Sequence, residues 1–218
     1  MRKGLIIAVF FSFLIVFFSS CDNLDEKDKK VNTKKNETKI EDNQNKVNSS
    51  KNKIQLNSEL DQLYDDAYRN FHSGAYNKAI DICDEVLEIQ ENHYKAYNIK
   101  GIALVFSDNF KNGMENIDKS LELEPDDWYL RFNKGLAYSY NKNFDEGLKW
   151  YDKSLEKKEY VWSYYGKAAI YGQLNDLDNT IKNLKIAINM SESVIEIARS
   201  EKDFDLVENT IEFKELIE

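Results

Sequence analysis

One spacing constrains this chain more than any other feature: small and apolar residues return every 34 positions. Ala67, Gly101 and Gly135 stand 34 apart, Tyr76, Phe110 and Phe144 keep the same step, and so do Leu87, Leu121 and Leu155. A period of that size means one supersecondary unit used several times. A unit so small cannot bury its apolar face without a neighbour, so the chain is expected to be a solenoid that presents a surface.

Each period holds two apolar-periodic segments separated by a polar turn, which is helix–turn–helix spacing. In the second period Tyr94 to Phe106 is expected to form the first helix and Lys111 to Leu123 the second. Pro125, the only proline, closes that helix after Glu124, and Asp126-Asp127 opens the next. Gly101, Gly113, Gly135, Gly147 and Gly166 all fall inside helices, where each costs up to about 1 kcal/mol relative to alanine. The expected compensation is a close approach of facing helix backbones. Tyr76, Phe110 and Phe144, just after the turn, should fill the wedge between hairpins. Cys83, Ile117, Tyr151 and Leu184 recur on the second helix, which makes Cys83 a buried apolar contact and not a nucleophile.

These residues carry a resemblance to the tetratricopeptide repeat family. Tyr97, Gly101, Phe110, Gly113, Leu121 and Pro125 fall at the spacing of its signature, the next period repeats Gly135, Tyr138, Phe144, Gly147 and Leu155, and the preceding one gives Leu63, Ala67, Gly74, Tyr76, Ala79 and Leu87. A fourth period matches through Trp162, Gly166, Leu177, Thr180, Leu184, Ala187 and Ile188. The resemblance implies an all-α, right-handed superhelical solenoid over residues 58–218, with repeats at about 60–93, 94–127, 128–158 and 159–192. Residues 193–218 are expected to form a capping helix pair with a polar outer side, its apolar set being Leu206 or Val207, Ile211 and Phe213, with Glu201 and Asp205 on other faces.

The amino terminus has a different character. Met1-Arg2-Lys3 is a positive start, Leu5 to Phe18 is apolar apart from Ser12, and Ser19-Ser20-Cys21 is a small-residue junction. That order is a secretory signal peptide over residues 1–20. Phe18-Ser19-Ser20-Cys21 resembles the lipobox of bacterial lipoproteins, which implies a diacylglycerol thioether on Cys21; a plain signal peptide with an incidental cysteine, or an uncleaved helix, is the alternative. Asp22 to Asn57 is rich in Lys, Asn, Asp and Glu and cannot bury enough surface to offset chain entropy, so residues 21–57 read as a lipidated, disordered tether. The two cysteines, Cys21 and Cys83, lie in segments with different fates, and no internal disulfide is expected.

Charge narrows the partners. Residues 58–218 carry 19 Lys or Arg against 32 Asp or Glu, a net of −13. Nucleic acids bind through Lys and Arg neutralisation, so they are not expected partners. No catalytic constellation is evident, and the chain reads as no enzyme: His72 and His93 have no metal-ligand partner at i+3 or i+4, the glycines follow the repeat and not a phosphate loop, and no cofactor or metal is implied.

What remains is a groove. In tetratricopeptide proteins the first helix of each repeat lines a concave surface that holds a peptide or partner helix, and the matching positions here are Tyr64, Tyr68 and Phe71, then Lys95, Asn98, Ile102 and Phe106. Tyr129, Phe132, Leu136 and Tyr140 follow, then Ser163, Lys167 and Tyr171, with Lys95 and Lys167 as candidates for a ligand carboxylate. The basic clamp by which some members capture a chaperone carboxyl terminus is absent, since Tyr64, Tyr68, Ile99, Tyr129 and Asn133 occupy its places. The combined expectation is a membrane-anchored protein–protein interaction scaffold of the bacterial cell envelope, outside the cytoplasm on the periplasmic side or the cell surface. Its partner is a protein or peptide, basic in character given the acidic domain. The alternatives are a surface-exposed lipoprotein of host contact and an accessory lipoprotein of a secretion, pilus or outer-membrane assembly machine.

Overall fold

The computed structural model describes residues 56–218, of which 63–218 belong to one compact unit. The signal segment, Cys21 and the tether up to residue 55 lie outside the described residues. Among the described residues there are ten α-helices and no strand. In chain order they are α1 (56–72), α2 (Tyr76–Ile89), α3 (Tyr94–Phe106), α4 (Phe110–Leu123), α5 (Trp128–Tyr140), α6 (Phe144–Leu155), α7 (Val161–Gln173), α8 (Leu177–Met190), α9 (Val194–Ser200) and α10 (Ile211–Ile217), with a 3-10 turn η1 (Lys202–Phe204) before the last.

Hairpins form because the turns stop the first helix sharply. Gly74, Asp108, Lys142 and Asn175 adopt positive φ of 79°, 64°, 60° and 58°, steps of 34, 34 and 33 along the chain. Each is the left-handed residue of a Schellman cap. The Lys142 N–H bonds Ser139 O and the Asn143 N–H bonds Tyr138 O, and the same pair recurs at residues 74–75, 108–109 and 175–176. The junctions into α3 and α5 use side-chain caps instead: His93 Nδ1 accepts from Ala96 N at 3.1 Å and Asp127 from Tyr129 N at 2.7 Å, whereas Tyr160 makes no such bond before α7. The expected start of α4 at Lys111 is observed one residue earlier, at Phe110.

The helix-interior glycines are where the hairpins close. A Cβ on Gly101 would stand 2.8 Å from Gly113 O, and one on Gly113 would stand 2.7 Å from Gly101 O, so α3 and α4 touch backbone to backbone. In the next hairpins the same position takes a ring. Tyr151 lies in a slot between Gly135 and Gly166, whose added Cβ atoms would come within 2.8 Å and 2.4 Å of it. Cys83, Ile117, Tyr151 and Leu184 are each at most 1% exposed, as the recurrence on the second helices implies.

Successive hairpins are joined by a ladder that sequence reading missed. Lys100 pairs with Asp84, Lys134 with Asp118 and Lys167 with Asp152, each a first-helix lysine reaching the second helix of the preceding hairpin. The lysine stems are mostly covered, which adds apolar contact to a modest ion pair.

The cap departs from expectation in two ways. Val207 and Phe213 are buried, but Ile211 is 72% and Leu206 61% exposed, because only 211–217 coil into a helix and residues 205–209 remain a turn. Glu201, expected on a solvated face, is 6% exposed, and Asp203 is 8%. The 3-10 turn carries both inward as it seats Phe204 against Tyr165 and Phe213, at 5.8 Å and 5.2 Å between ring centres.

Candidate functional site

The first helices pack on one another as well as on their own hairpin partners, α3 on α5 and α5 on α7. Phe106 of α3 marks this inner layer: it stacks on Phe71 of α1 at 5.9 Å and meets Tyr140 of α5 at 4.8 Å. Tyr76 closes the same cluster edge-on against Phe106. Asn98 and Ile102 stand on the Phe106 stripe of α3, eight and four residues before it.

At the amino-terminal ends of these helices a second aromatic cluster converges from three hairpins. Tyr64 lies 6.5 Å from Tyr68 on α1, Tyr129 stacks on Phe132 at 5.9 Å on α5, and Tyr160, at the start of α7, meets Phe132 edge-on at 5.1 Å and Trp128 at 4.7 Å. The Tyr68 and Tyr129 hydroxyls are hydrogen-bonding neighbours, and Asn133 stands in the same relation to Tyr129. Hydroxyls 61 positions apart therefore meet across the middle hairpin. Burial raises the pKa of Tyr64, Tyr68, Tyr129 and Tyr160, and the proximity of further tyrosines adds to this at Tyr64, Tyr129 and Tyr160. All four are neutral hydrogen-bonding groups at physiological pH.

The predicted groove residues divide accordingly. Tyr64, Tyr68, Tyr129, Leu136, Tyr140 and Tyr171 are half-buried, so each shows part of its surface. Lys95 is exposed at the rim, its ammonium 5.9 Å from the Tyr64 ring and 5.8 Å from that of Tyr94. Phe132 and Ile102, at 4% and 1% exposure, are core and offer no contact area to a ligand. Ser163 is fully buried and donates to Ser154 at 3.3 Å, and Lys167 is committed to Asp152, so neither is a groove residue in the way the spacing suggested. The reason is a small phase difference: the turn into α7 is shorter, which rotates these positions toward the preceding hairpin.

Asn98 is the exception among the buried ones. It is 3% exposed, yet no donor within the protein reaches its Oδ1. A buried acceptor left unmatched costs about 1–3 kcal/mol, and such groups are few in native folds.

Sequence reasoning missed three members of this face: Tyr160 and both histidines. His72 lies 4.0 Å from Tyr68 and His93 5.4 Å from Tyr64, ring to ring. Burial pushes His72 down to about 4, which keeps it neutral. Their signal was aromatic-rich sequence at hairpin ends, invisible until the hairpins stack. Chemically the face offers contact and hydrogen bonding. Cys83 is pushed up to about 12 by burial and is no nucleophile. Among the described residues no group of three or more His, Cys, Asp or Glu could hold a metal ion, and no helix is long and apolar enough to cross a membrane.

A second concavity, about 680 Å³, opens beside α4, α5 and α6. Trp150 sits in it between the ammonium groups of Lys134 and Lys153, 4.1 Å and 4.0 Å from its ring centre. Arg131, Lys134 and Lys153 there face Asp118, Glu122 and Glu156, so the cleft balances its own charge.

Comparison with known proteins adds to this geometry. The family model described as tetratricopeptide repeat matches residues 129–157, which is α5 and α6. The fold is that of a tetratricopeptide repeat solenoid. Among solved structures, MamA residues 41 to the end from Desulfovibrio magneticus RS-1 is 19% identical, with 62% of this chain and 76% of that one covered at a TM-score of 0.51. Another MamA crystal structure is 15% identical over 73% of this chain and 91% of that one, with a TM-score of 0.54. An O-GlcNAc transferase mutant of Thermobaculum terrenum is 16% identical over 62% of this chain at a TM-score of 0.57, and only 26% of that longer chain is covered. At these identities the likeness is one of fold. No curated protein sequence matches this chain significantly.

Proposed function

We propose that this protein is a membrane-anchored interaction scaffold of a bacterial cell envelope that binds an extended segment of a protein partner across its first-helix layer. The observation that carries the reading is the layer of half-buried tyrosines, Tyr64, Tyr68, Tyr129 and Tyr140, with Lys95 exposed at its rim. An extended segment needs contact area and hydrogen-bonding groups to lie against. Half-buried tyrosines are suited to the same task, since they give large contact area with little rotamer entropy to lose. The net of −13 on residues 58–218 favours a basic partner and repels acidic ones. Lipid on Cys21 would hold the domain at the membrane, outside the cytoplasm, on a tether of about 36 residues whose coil span is roughly 30–36 Å.

A photo-crosslinking residue placed at Lys95 in intact cells tests the site. It should trap a discrete protein, and the adduct should weaken when Tyr64→Ala is added. Adducts that form equally from Lys182, on the exposed side of α8, would refute the groove. The anchor is tested separately, because Cys21→Ala should release the protein from the membrane fraction and remove the mass of the acyl groups.

A further inference from the structure

The cap is fastened to the last full hairpin through η1. The Asp203 carbonyl oxygen lies 2.6 Å from where a Cβ on Gly172 would stand, so the cap backbone rests directly on α7. Phe204 and Val207, each 1% exposed, continue the contact into a core with Tyr165, Ala168, Leu184 and Phe213. At this seam two carboxylates are buried: Glu201 at 6% exposure and Asp203 at 8%.

Asp203 borders a cavity of about 10 Å³ shared with Ser139, Tyr151, Tyr165 and Gly166, which has room for about one water. The groups facing it are mostly of its own sign. Glu201 and Asp205 flank it on the cap, and the phenols of Tyr151 on α6 and Tyr165 on α7 stay neutral because burial raises both. Lys142, in the turn between α5 and α6, is the opposing cation. Glu201 is partly satisfied by the N–H groups of Lys202 and Asp203. We propose that η1 is a proton-sensitive latch: the cap docks on α7 with the Asp203 carboxyl protonated and loosens from it when that carboxyl ionises.

Burial first, then Glu201, raise Asp203 from the ordinary carboxylate value to about 7. With the docked value above the undocked one, the stabilisation is fully present below the ordinary carboxylate range near 4 and is lost as pH rises toward 7. Docking weakens by up to about tenfold per pH unit inside that window. Release would bare Tyr165, Ala169 and Leu184 at the end of the stack, an apolar edge for a neighbour to cover.

Amide exchange of the whole protein, read by mass spectrometry at pH 5.5 and pH 8.0 with intrinsic rates corrected, tests the latch. The expected result is that protection over residues 194–218 falls by about tenfold or more, while α3 and α4 hold theirs. Asp203→Asn should keep the cap protected at pH 8.0. Lys142→Met, which removes the cation opposing Asp203, should leave protection at pH 5.5 unchanged and lower it further at pH 8.0. Equal protection of the wild-type cap at the two pH values overturns the proposal. So does an Asp203→Asn cap that is folded at pH 5.5 and still loosens at pH 8.0.

Discussion

Gly101 gives the sharpest test of why the repeat keeps glycine inside its helices. Replacing it by alanine adds about 1 kcal/mol of helix propensity, as it would at any helix-interior glycine. The new methyl would lie 2.8 Å from Gly113 O, 2.9 Å from Ile117 N and 2.7 Å from Ile117 Cγ1. Two of those atoms are backbone of the facing helix and cannot rotate away, so α3 and α4 must separate. A gap of 0.5–1 Å forfeits about a quarter to a half of each dispersion contact, and overpacking of this kind costs roughly 1–3 kcal/mol. With the upper end of that range expected for backbone contacts, Gly101→Ala should lose about 2 kcal/mol net, or roughly 4–8 °C in Tm. Gly147→Ala is the internal control. Its nearest neighbour would be the terminal Cδ1 of Ile170 at 3.0 Å, with no backbone closer than 3.4 Å, so propensity should win and stability should rise by up to about 1 kcal/mol. Urea titration followed by circular dichroism measures both. A Gly101→Ala protein as stable as wild type, or a Gly147→Ala protein that loses as much, would refute the close-approach argument.

Asn98→Ala should leave the domain about as stable as wild type in urea titration, since a buried unmatched acceptor is removed; a loss of more than about 2 kcal/mol would mean that Asn98 is bonded structurally. Lys142→Gly, which relieves a non-glycine residue at φ 60°, should stabilise by about 1 kcal/mol. That measurement belongs at pH 5, where Asp203 is protonated and the lost cation has little to oppose. Asp118→Asn should cost under about 1 kcal/mol as a solvated ion pair, whereas Lys134→Ala should cost more, since its covered stem and its contact with Trp150 go together. Cys83 should resist thiol reagents in the folded protein and react only on unfolding; rapid native labelling would contradict its burial and its raised pKa.

Much of this was written in the sequence. A 34-residue period with glycine at fixed phases leaves little choice but stacked hairpins, and the burial of Cys83, Ile117, Tyr151 and Leu184 follows from their place on the second helix. The face of the first helices was legible as a stripe of aromatic positions. Its state was not. Phe132 and Ile102 proved to be core, and Lys167 and Ser163 turned to the preceding hairpin, because exposure on a solenoid depends on how tightly one unit winds on the next. Tyr68 and Tyr129 share a hydrogen bond across 61 residues, and no local pattern encodes that distance.

The division has a physical basis. Periodicity records what each unit must bury against its neighbours, and that requirement repeats, so the sequence by itself determines the helices, their pairing and the small residues between them. Positions that meet only once, at a seam or across the stack, have no period. The tertiary structure alone decided that Asn98 lacks a donor, that the lysine–aspartate ladder links the hairpins, and that a short turn carries Glu201 and Asp203 into the cap joint. Side-chain desolvation there is set by the fit of two surfaces, which composition and spacing do not specify.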